Sequence, residues 1–421
     1  MTADQLTRPS DAFASAAERL LHRCDVLGGF SALSDGILRA YLTPEHAKAN
    51  AQVAEWMEEA GMSTWQDAVG NQWGRYEGIE ADAKTLVLGS HLDTVPYAGR
   101  YDGILGVLAA VELVADLHGR GERLPFAIEI VGFCDEEGTR FGATLIGSKA
   151  LAGQWNDDWM QLQDDDGISM WSALQAFGLD PHNVRDAALN PDQLLGFWEI
   201  HIEQGPVLES LDLPVGVVTG IAGARRANIR LTGQAGHAGT TPMHLRRDAL
   251  VGAAEVALAV EEIAKRAGGD IVATVGQLFA RPGAVNVIAG GAMLSLDVRS
   301  QSDDERDRVL EEINDATETI AARRNLDMMW EWQHSAGAVL CDDGFQAVFA
   351  QAIADEDIIA QHLPSGAGHD AMAVAEITPM AMLFLRSPRG LSHHPDEAVI
   401  EDDVAITLSV MARALKALAS T

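Results

Sequence analysis

The chain has 421 residues, 47% of them hydrophobic, enough for two domains or for one large domain with an insertion around a substantial core. Its 62 acidic against 30 basic residues give a formal charge of -32 with no long Lys/Arg run, which excludes nucleic acid and anionic membrane as natural partners and means that an anionic substrate needs locally placed arginines. Cys24, Cys134 and Cys341 are few, odd in number and widely spaced. With no apolar signal core near the start and no run long enough to span a bilayer, they predict a soluble cytoplasmic protein without a disulfide framework or a Cys-based zinc site.

In chain order, Ala14 to Leu27 and Pro44 to Ala60 have helical spacing, the second closed by Gly61. Asn71 to Tyr76 and Thr85 to Leu88 read as strands. The stretch GSHLDTVPYAGRYDGILG, Gly89 to Gly106, follows directly. It places His91 at the carboxyl end of a buried strand and Asp102 after a Gly-bearing loop, where open α/β sheets keep their chemistry. His91 and Asp102 can ligate a divalent cation. Asp93 shares a strand face with His91 and can orient its imidazole from behind. A strand-end histidine and a turn aspartate with ordinary hydrogen bonds fit these residues equally well.

The mostly apolar run ILGVLAAVELVADL predicts a buried helix ending at Gly119 and Gly121, and Phe126 to Cys134 a strand running into DEEGTRFG. Strand, loop, helix, strand argues for a largely parallel sheet. The adjacent carboxylates Asp135, Glu136 and Glu137 are costly at an apolar strand end unless a cation or proton compensates. One can ligate metal while its neighbour acts as general base, and a plain acidic turn is the alternative. Gln154 to Asn190 reads as surface helices and loops, with Asp164 to Asp166 a solvated turn. Phe197 to Gly205, FWEIHIEQG, is another strand, delivering His201, for which an ordinary core histidine is the alternative.

From about 223 to 333 the texture changes to strand (Arg226 to Leu231), helix (Arg246 to Arg266), strands (Ile271 to Phe279, Met293 to Val298), helix (Asp303 to Arg324) and strand (Met328 to Trp332). This is an α+β sandwich of the split type, inserted into the α/β fold. The pattern then resumes with a helix at Asp343 to Ala354, a strand at Met380 to Leu385 and a helix at Asp402 to Leu418. After that last strand comes GLSHHP, with His393 and His394. Four strand ends of one sheet delivering His or carboxylate, and never Cys, predict a dinuclear metal centre with coordination left open for water. No GxSxG, GxGxxG or P-loop motif occurs. The expected fold class is thus α/β, with a discontinuous, largely parallel-sheet di-metal catalytic domain (1–222 and 334–421) and an inserted α+β domain (223–333).

The motifs GSHLDTV, GRYDGILGVLA, DEEGTRF, HIEQGPVLE, GHAGTTPM, RPGAVNV, DVRS, SGAGHDA and GLSHHP, in this order, resemble the amidohydrolase branch of the M20 metallopeptidase superfamily. That branch contains allantoate amidohydrolase, N-carbamoyl-L-amino acid hydrolase and β-ureidopropionase. The resemblance runs from about residue 20 to the C-terminus. It implies cleavage of a ureido C–N bond of allantoate or an N-carbamoyl-L-amino acid, with release of ammonia and carbon dioxide. An allantoate substrate would place the protein in purine catabolism. Aminoacylase or dipeptidase activity on an ordinary amide is the alternative within the superfamily. The histidine of HIEQG, where peptidase relatives usually have an acidic residue, favours the ureido branch. A metal-binding dimer without activity is the rival of another class, disfavoured by the carboxylate at Glu136.

The resemblance further implies Asp102 as a carboxylate bridging two divalent ions (Zn or Mn, with Co or Ni as alternatives), His91 and His201 completing one site and Glu137 and His393 the other. It makes Glu136 the general base. A one-residue shift, to Asp135 or His394, is the competing register. By the same resemblance the insert is a dimerisation and lid domain, and His237 of GHAGTTPM is an oxyanion donor to the neighbouring subunit of a homodimer. Asn286 and Arg299 grip the substrate carboxylate. Gln204, Gly368 and His369 contact the ureido group.

Overall fold

The computed structural model describes residues 12–420. Its chain divides into two compact units, one running through Thr219 and again from Cys341, the other spanning Gly220–Leu340, against the sequence-derived limits 223 and 333. No helix among the described residues is long and apolar enough to cross a membrane.

The larger unit is built on a mixed sheet in which four parallel strands lie side by side, in the order Ala127–Phe133, Thr85–His91, Leu194–Ile202, Met380–Leu385. Thr85–His91 and Met380–Leu385 are buried along their whole length. Strands covered on both faces need continuous apolar runs, which is why LVL and MAMLFL show no alternation. Parallel pairing in register brings all four carboxyl ends to one edge: His91 lies opposite Phe133, and His201 opposite Phe384.

The helix Ile104–Gly119 packs under this sheet, with every residue from Ile104 to Val114 buried. Gly106 is required there, because a Cβ would stand 2.1 Å from the Ile200 carbonyl oxygen. One acidic residue, Glu112, falls on the buried face. Arg23 and Arg19 of the helix Ala14–Gly28 reach it at 2.8 Å and 3.1 Å, so a charge that would be costly alone ties two helices together.

The smaller unit is an antiparallel sheet ordered Leu278–Arg281, Gly291–Ser300, Gly223–Thr232, Asp327–Ala336. Strict alternation of burial along Gly291–Ser300 sends Leu294, Leu296 and Val298 into one core with the helices Ala249–Ala267 and Asp303–Arg324. The opposite face carries Arg226, Asp297 and Arg299 beside Met293 and the exposed Phe279 and Met329.

Several elements depart from the sequence reading. Val215–Ile221 is a strand antiparallel to Met380–Leu385, and Ser63–Gln66 pairs with Gln72–Tyr76. Neither was expected. Ile271 to Phe279 is divided into Val272–Thr274 and Leu278–Arg281, around Gly276, which weakens a strand interior. The helix expected from Arg246 begins at Ala249, because the Asp248 side chain accepts the Leu250 amide and caps it. Residues 154–190 are more than surface loops: Trp155, Met160, Met170, Leu174 and Val184 form a buried cluster with Tyr41 and Phe141.

Candidate metal centre and active site

His91 ends its strand 98% buried, with Nδ1 3.0 Å from the main-chain carbonyl of Asp93. His201, also buried, places Nδ1 2.9 Å from the carbonyl of Ile202. A carbonyl can only accept, so both Nδ1 atoms carry hydrogen and both neutral rings expose a bare Nε2. These lone pairs converge on one oxygen. Asp102 Oδ1 lies 3.6 Å from His91 Nε2 and 3.1 Å from His201 Nε2, and His201 Nε2 is buried with no aligned hydrogen-bond partner.

Three electron pairs facing one another in a buried site repel unless positive charge lies among them. Protonating both rings would place two cations 5.8 Å apart by ring centroid. A single metal ion answers the same need with one charge centre. Bonds of about 2.1 Å at tetrahedral angles set N and O donors roughly 3.4 Å apart, close to the spacings found here. The residues therefore fit a divalent cation.

A second group shares Asp102. His393 Nε2 lies 3.1 Å from Asp102 Oδ2 and 3.2 Å from Glu137 Oε1. Hydrogen bonding to Asp102 and then Glu137 pushes His393 up to about 10, the protonic form of the attraction a cation would satisfy. The two oxygens of Asp102 thus face different histidine sets, the geometry of a bridging carboxylate. Glu136 and Glu137 also bring donor atoms within 4.8 Å of each other and of His91. Asp135 joins none of these groups, and its side-chain oxygens are buried without hydrogen-bond partners. His394 joins none either: its Nδ1 accepts the Asp396 amide. Glu136 itself sits well above the ordinary carboxylate range, because burial, and then the neighbouring Glu137 carboxylate, disfavour its charge.

Asp93 differs from expectation. It orients His91 through its main-chain carbonyl, while its Oδ1 is 3.7 Å from the ring. The carboxylate instead accepts the main-chain N–H groups of Glu136 and Glu137 at 3.0 Å and 3.1 Å. It therefore shapes the acidic turn. The strand ends at His91, and with it the alternation behind the sequence reading.

Gln204 lies beside the centre, donating from Nε2 to Asp102 Oδ2 at 2.9 Å and to Ser392 Oγ at 3.1 Å. Its Oε1 is buried with no partner. His369 packs its ring 4.4 Å from that of His201 and sits 2.7 Å from Ser365 Oγ. Burial holds it well below the ordinary histidine range, so it is neutral. Gly368 is exposed beside it. His237, Asn286 and Arg299 belong to the smaller unit. His237 is exposed and pairs across a short ladder with Val287, and Ala238 N–H donates to the Asn286 carbonyl. The Arg299 guanidinium is held by both Asp297 oxygens at 2.9 Å.

Sequence reasoning missed Glu199, Ser392 and Glu397. Glu199 lies two residues before His201 on the same strand face, so alternation alone could have drawn attention to it. Its oxygens accept Ser90 Oγ–H at 2.8 Å and the Ala371 amide at 3.1 Å. Ser392 and Glu397 flank the histidine pair of GLSHHPDE, where no periodicity marks them.

The profile of peptidase family M20/M25/M40 matches residues 87–417, taking in every strand end of this centre. The chain belongs to that family. Among M20-type relatives, N-carbamoyl-L-amino acid amidohydrolase of Geobacillus stearothermophilus is 41% identical, over 94% of this chain and 96% of that protein. Allantoate deiminase 1 of Glycine max is 36% identical, over 90% of this chain and 84% of its own length. A crystal structure of an amidase of the hydantoinase/carbamoylase family from Burkholderia multivorans aligns with a TM-score of 0.91 at 32% identity, covering 96% of this chain and 98% of that one. Family membership and the clustered donors together make this an M20 hydrolase that uses divalent metal.

Proposed function

We propose that this M20 hydrolase cleaves the ureido C–N bond of allantoate or an N-carbamoyl-L-amino acid, releasing ammonia and carbon dioxide. Two divalent ions, Zn or Mn with Co or Ni as alternatives, would be held by His91, Asp102 and His201 and by Asp102, Glu137 and His393. The observation that carries the reading is the convergence of two bare imidazole nitrogens on one oxygen of a carboxylate whose other oxygen meets His393. The names of the Geobacillus and Glycine relatives support the ureido substrate class.

Divalent ions bound there supply Lewis-acid polarisation of the ureido carbonyl and make water a nucleophile at neutral pH. Glu136 takes the proton of the attacking water and hands it to the departing nitrogen. Burial shifts its carboxyl upward, the direction that suits a group that must accept a proton and return it. The unpartnered Oε1 of Gln204 matches the N–H donors of a ureido group, and Gly368 and His369, the latter packed on His201, would contact the same group.

Both substrate classes are carboxylates, and Arg299 with Asn286 would receive that charge. The clamp by Asp297 fixes the plane of the Arg299 guanidinium. His237 Nδ1 accepts the Gly239 amide, so the neutral ring carries its proton on Nε2, as an oxyanion donor must. We assign that donor to the neighbouring subunit's centre in a homodimer formed through the Gly220–Leu340 unit. A cytoplasmic setting is supported by three free, buried cysteines.

The test is ammonia release by metal-stripped protein reloaded with Mn or Zn, on allantoate, N-carbamoyl-L- and D-amino acids, N-carbamoyl-β-alanine and an N-acetyl amino acid. Turnover of allantoate or an L-carbamoyl compound supports the reading and selects the substrate. Release of free amino acid from the acetyl compound alone would overturn the ureido assignment.

A further inference from the structure

Beneath the bridging carboxylate lies a second, buried carboxylate with no assigned part in the centre. Glu397 is 94% buried, and its Oε1 accepts the main-chain N–H groups of Tyr101 at 2.8 Å and Asp102 at 3.2 Å. Its Oε2 is 3.1 Å from Ser392 Oγ, which in turn lies 2.7 Å from Asp102 Oδ2. The approach is close enough that Gly99 must lack a side chain: a Cβ there would stand 2.2 Å from Glu397 Oε1.

We propose that Glu397, linked through Ser392, is a positioning residue that sets the orientation of Asp102 and with it the separation of the two metal sites. This inference rests on the metal-centre reading above. Glu397 grips Asp102 twice, at its main chain directly and at its carboxylate through the serine hydroxyl. A single side chain held at both ends cannot rotate about χ1 without breaking a buried hydrogen bond.

The clamp also reaches the other ligand arm. Ser392 precedes His393, which adopts a left-handed backbone at φ +54°, a conformation that a non-glycine residue keeps only when its surroundings impose it. On the far side of His393, the Glu397 amide donates to the His394 carbonyl at 3.0 Å. The six-residue loop from Ser392 to Glu397 is thus closed on itself, with its histidine aimed at Asp102. The Ser392 hydroxyl has one proton and two carboxylates to serve, Asp102 and Glu397. Donated to Asp102 Oδ2 that proton ties the carboxylate to the loop, and turned to Glu397 Oε2 it exchanges that hydrogen bond for one to the second carboxylate. In either state Glu397 keeps its hold on the Asp102 main chain through Oε1.

Cobalt(II) binding to the full-length, metal-stripped protein tests this, by competition with a chromophoric chelator and by the visible absorption of the bound ion. Ser392→Ala and Glu397→Asp, the latter keeping the charge but shortening the reach, should bind cobalt about 10–100-fold more weakly with an altered visible spectrum. Ser392→Thr, which keeps the hydroxyl, should restore affinity and spectrum. Folding is checked by circular dichroism, and Ser392→Ala removes only one oxygen should Glu397→Asp fail to fold. Unchanged affinity and spectrum in a folded Ser392→Ala would overturn the positioning role while leaving the metal centre intact. Absence of cobalt binding by the unaltered protein would overturn both.

Discussion

His201 Nε2 stands 3.1 Å from Asp102 Oδ1 while the same ring's Nδ1 lies 2.9 Å from the Ile202 carbonyl. The two contacts together fix the tautomer, and so leave an acceptor facing an acceptor inside a buried site. Removing metal should therefore do more than stop turnover. Zinc at a hundred times its Kd should add about 2.7 kcal/mol to the stability of the stripped protein, seen as a rise in the urea midpoint. His201→Ala should lose most of that gain. A stripped protein whose midpoint ignores zinc, manganese and cobalt would contradict the centre described above.

Glu136 tests the chemistry separately from the binding. Its main-chain N–H is fixed by Asp93 Oδ1 at 3.0 Å, so Glu136→Gln should preserve the turn and the metal content. What it removes is the group that accepts a proton, and kcat should fall by about 10²–10⁴-fold with little change in KM. Steady-state kinetics beside a metal assay on the same sample decide it. Near-normal kcat would assign proton transfer elsewhere.

The strand ends were legible in the sequence because burial on both faces forces apolar runs, and His91, His201 and His393 follow such runs. Order along the chain also separated the α/β body from the inserted α+β unit. Three things were not legible. Val215–Ile221 is apolar like its neighbours, but nothing local shows that it pairs antiparallel to Met380–Leu385. Asp93 was read as an extended-strand residue, whereas the strand ends at His91 and the Asp93 carboxylate accepts the Glu136 and Glu137 amides, more than forty residues away. Glu397 meets Asp102 across 295 residues of sequence, and a pairing of that range leaves no periodic trace in either segment.

Away from the centre, His46 should make the protein sensitive to acid. It is buried, accepts the Leu42 amide on Nδ1 at 3.1 Å, and stacks on Phe177. Burial, reinforced by the charge of Arg39, lowers it to about 3. The unfolded chain takes up this proton below about pH 6.5, and the folded chain refuses it until about 3. Stability is therefore lost as pH falls through that window, at up to about 1.4 kcal/mol per pH unit from this group. His46→Gln keeps an acceptor for Leu42 but cannot titrate. Its deficit relative to the natural chain should shrink between pH 7 and pH 5 in urea melts, and metal loss, common to both proteins, cancels in the comparison. A deficit independent of pH would remove His46 as the cause.

Gly103 joins backbone conformation to ligand geometry. It caps the buried helix at φ +74° directly after Asp102, and a Cβ there would stand 2.5 Å from three atoms of the His91 ring. That ring cannot yield, being buried and hydrogen-bonded to Asp93 at Nδ1. Gly103→Ala must therefore move either His91 or the helix start that carries Asp102. Gly142 shares the same φ of +74° but has nothing within 4 Å of its would-be Cβ. Both alanine variants should lose about 1 kcal/mol or more to backbone strain. Only Gly103→Ala should also weaken cobalt(II) binding, by roughly 10–100-fold, the loss typical when a ligand's orientation is disturbed. If the two variants bind cobalt equally well, the close contact with Gly103 does not set the position of His91, and the ring is held by its Asp93 hydrogen bond alone.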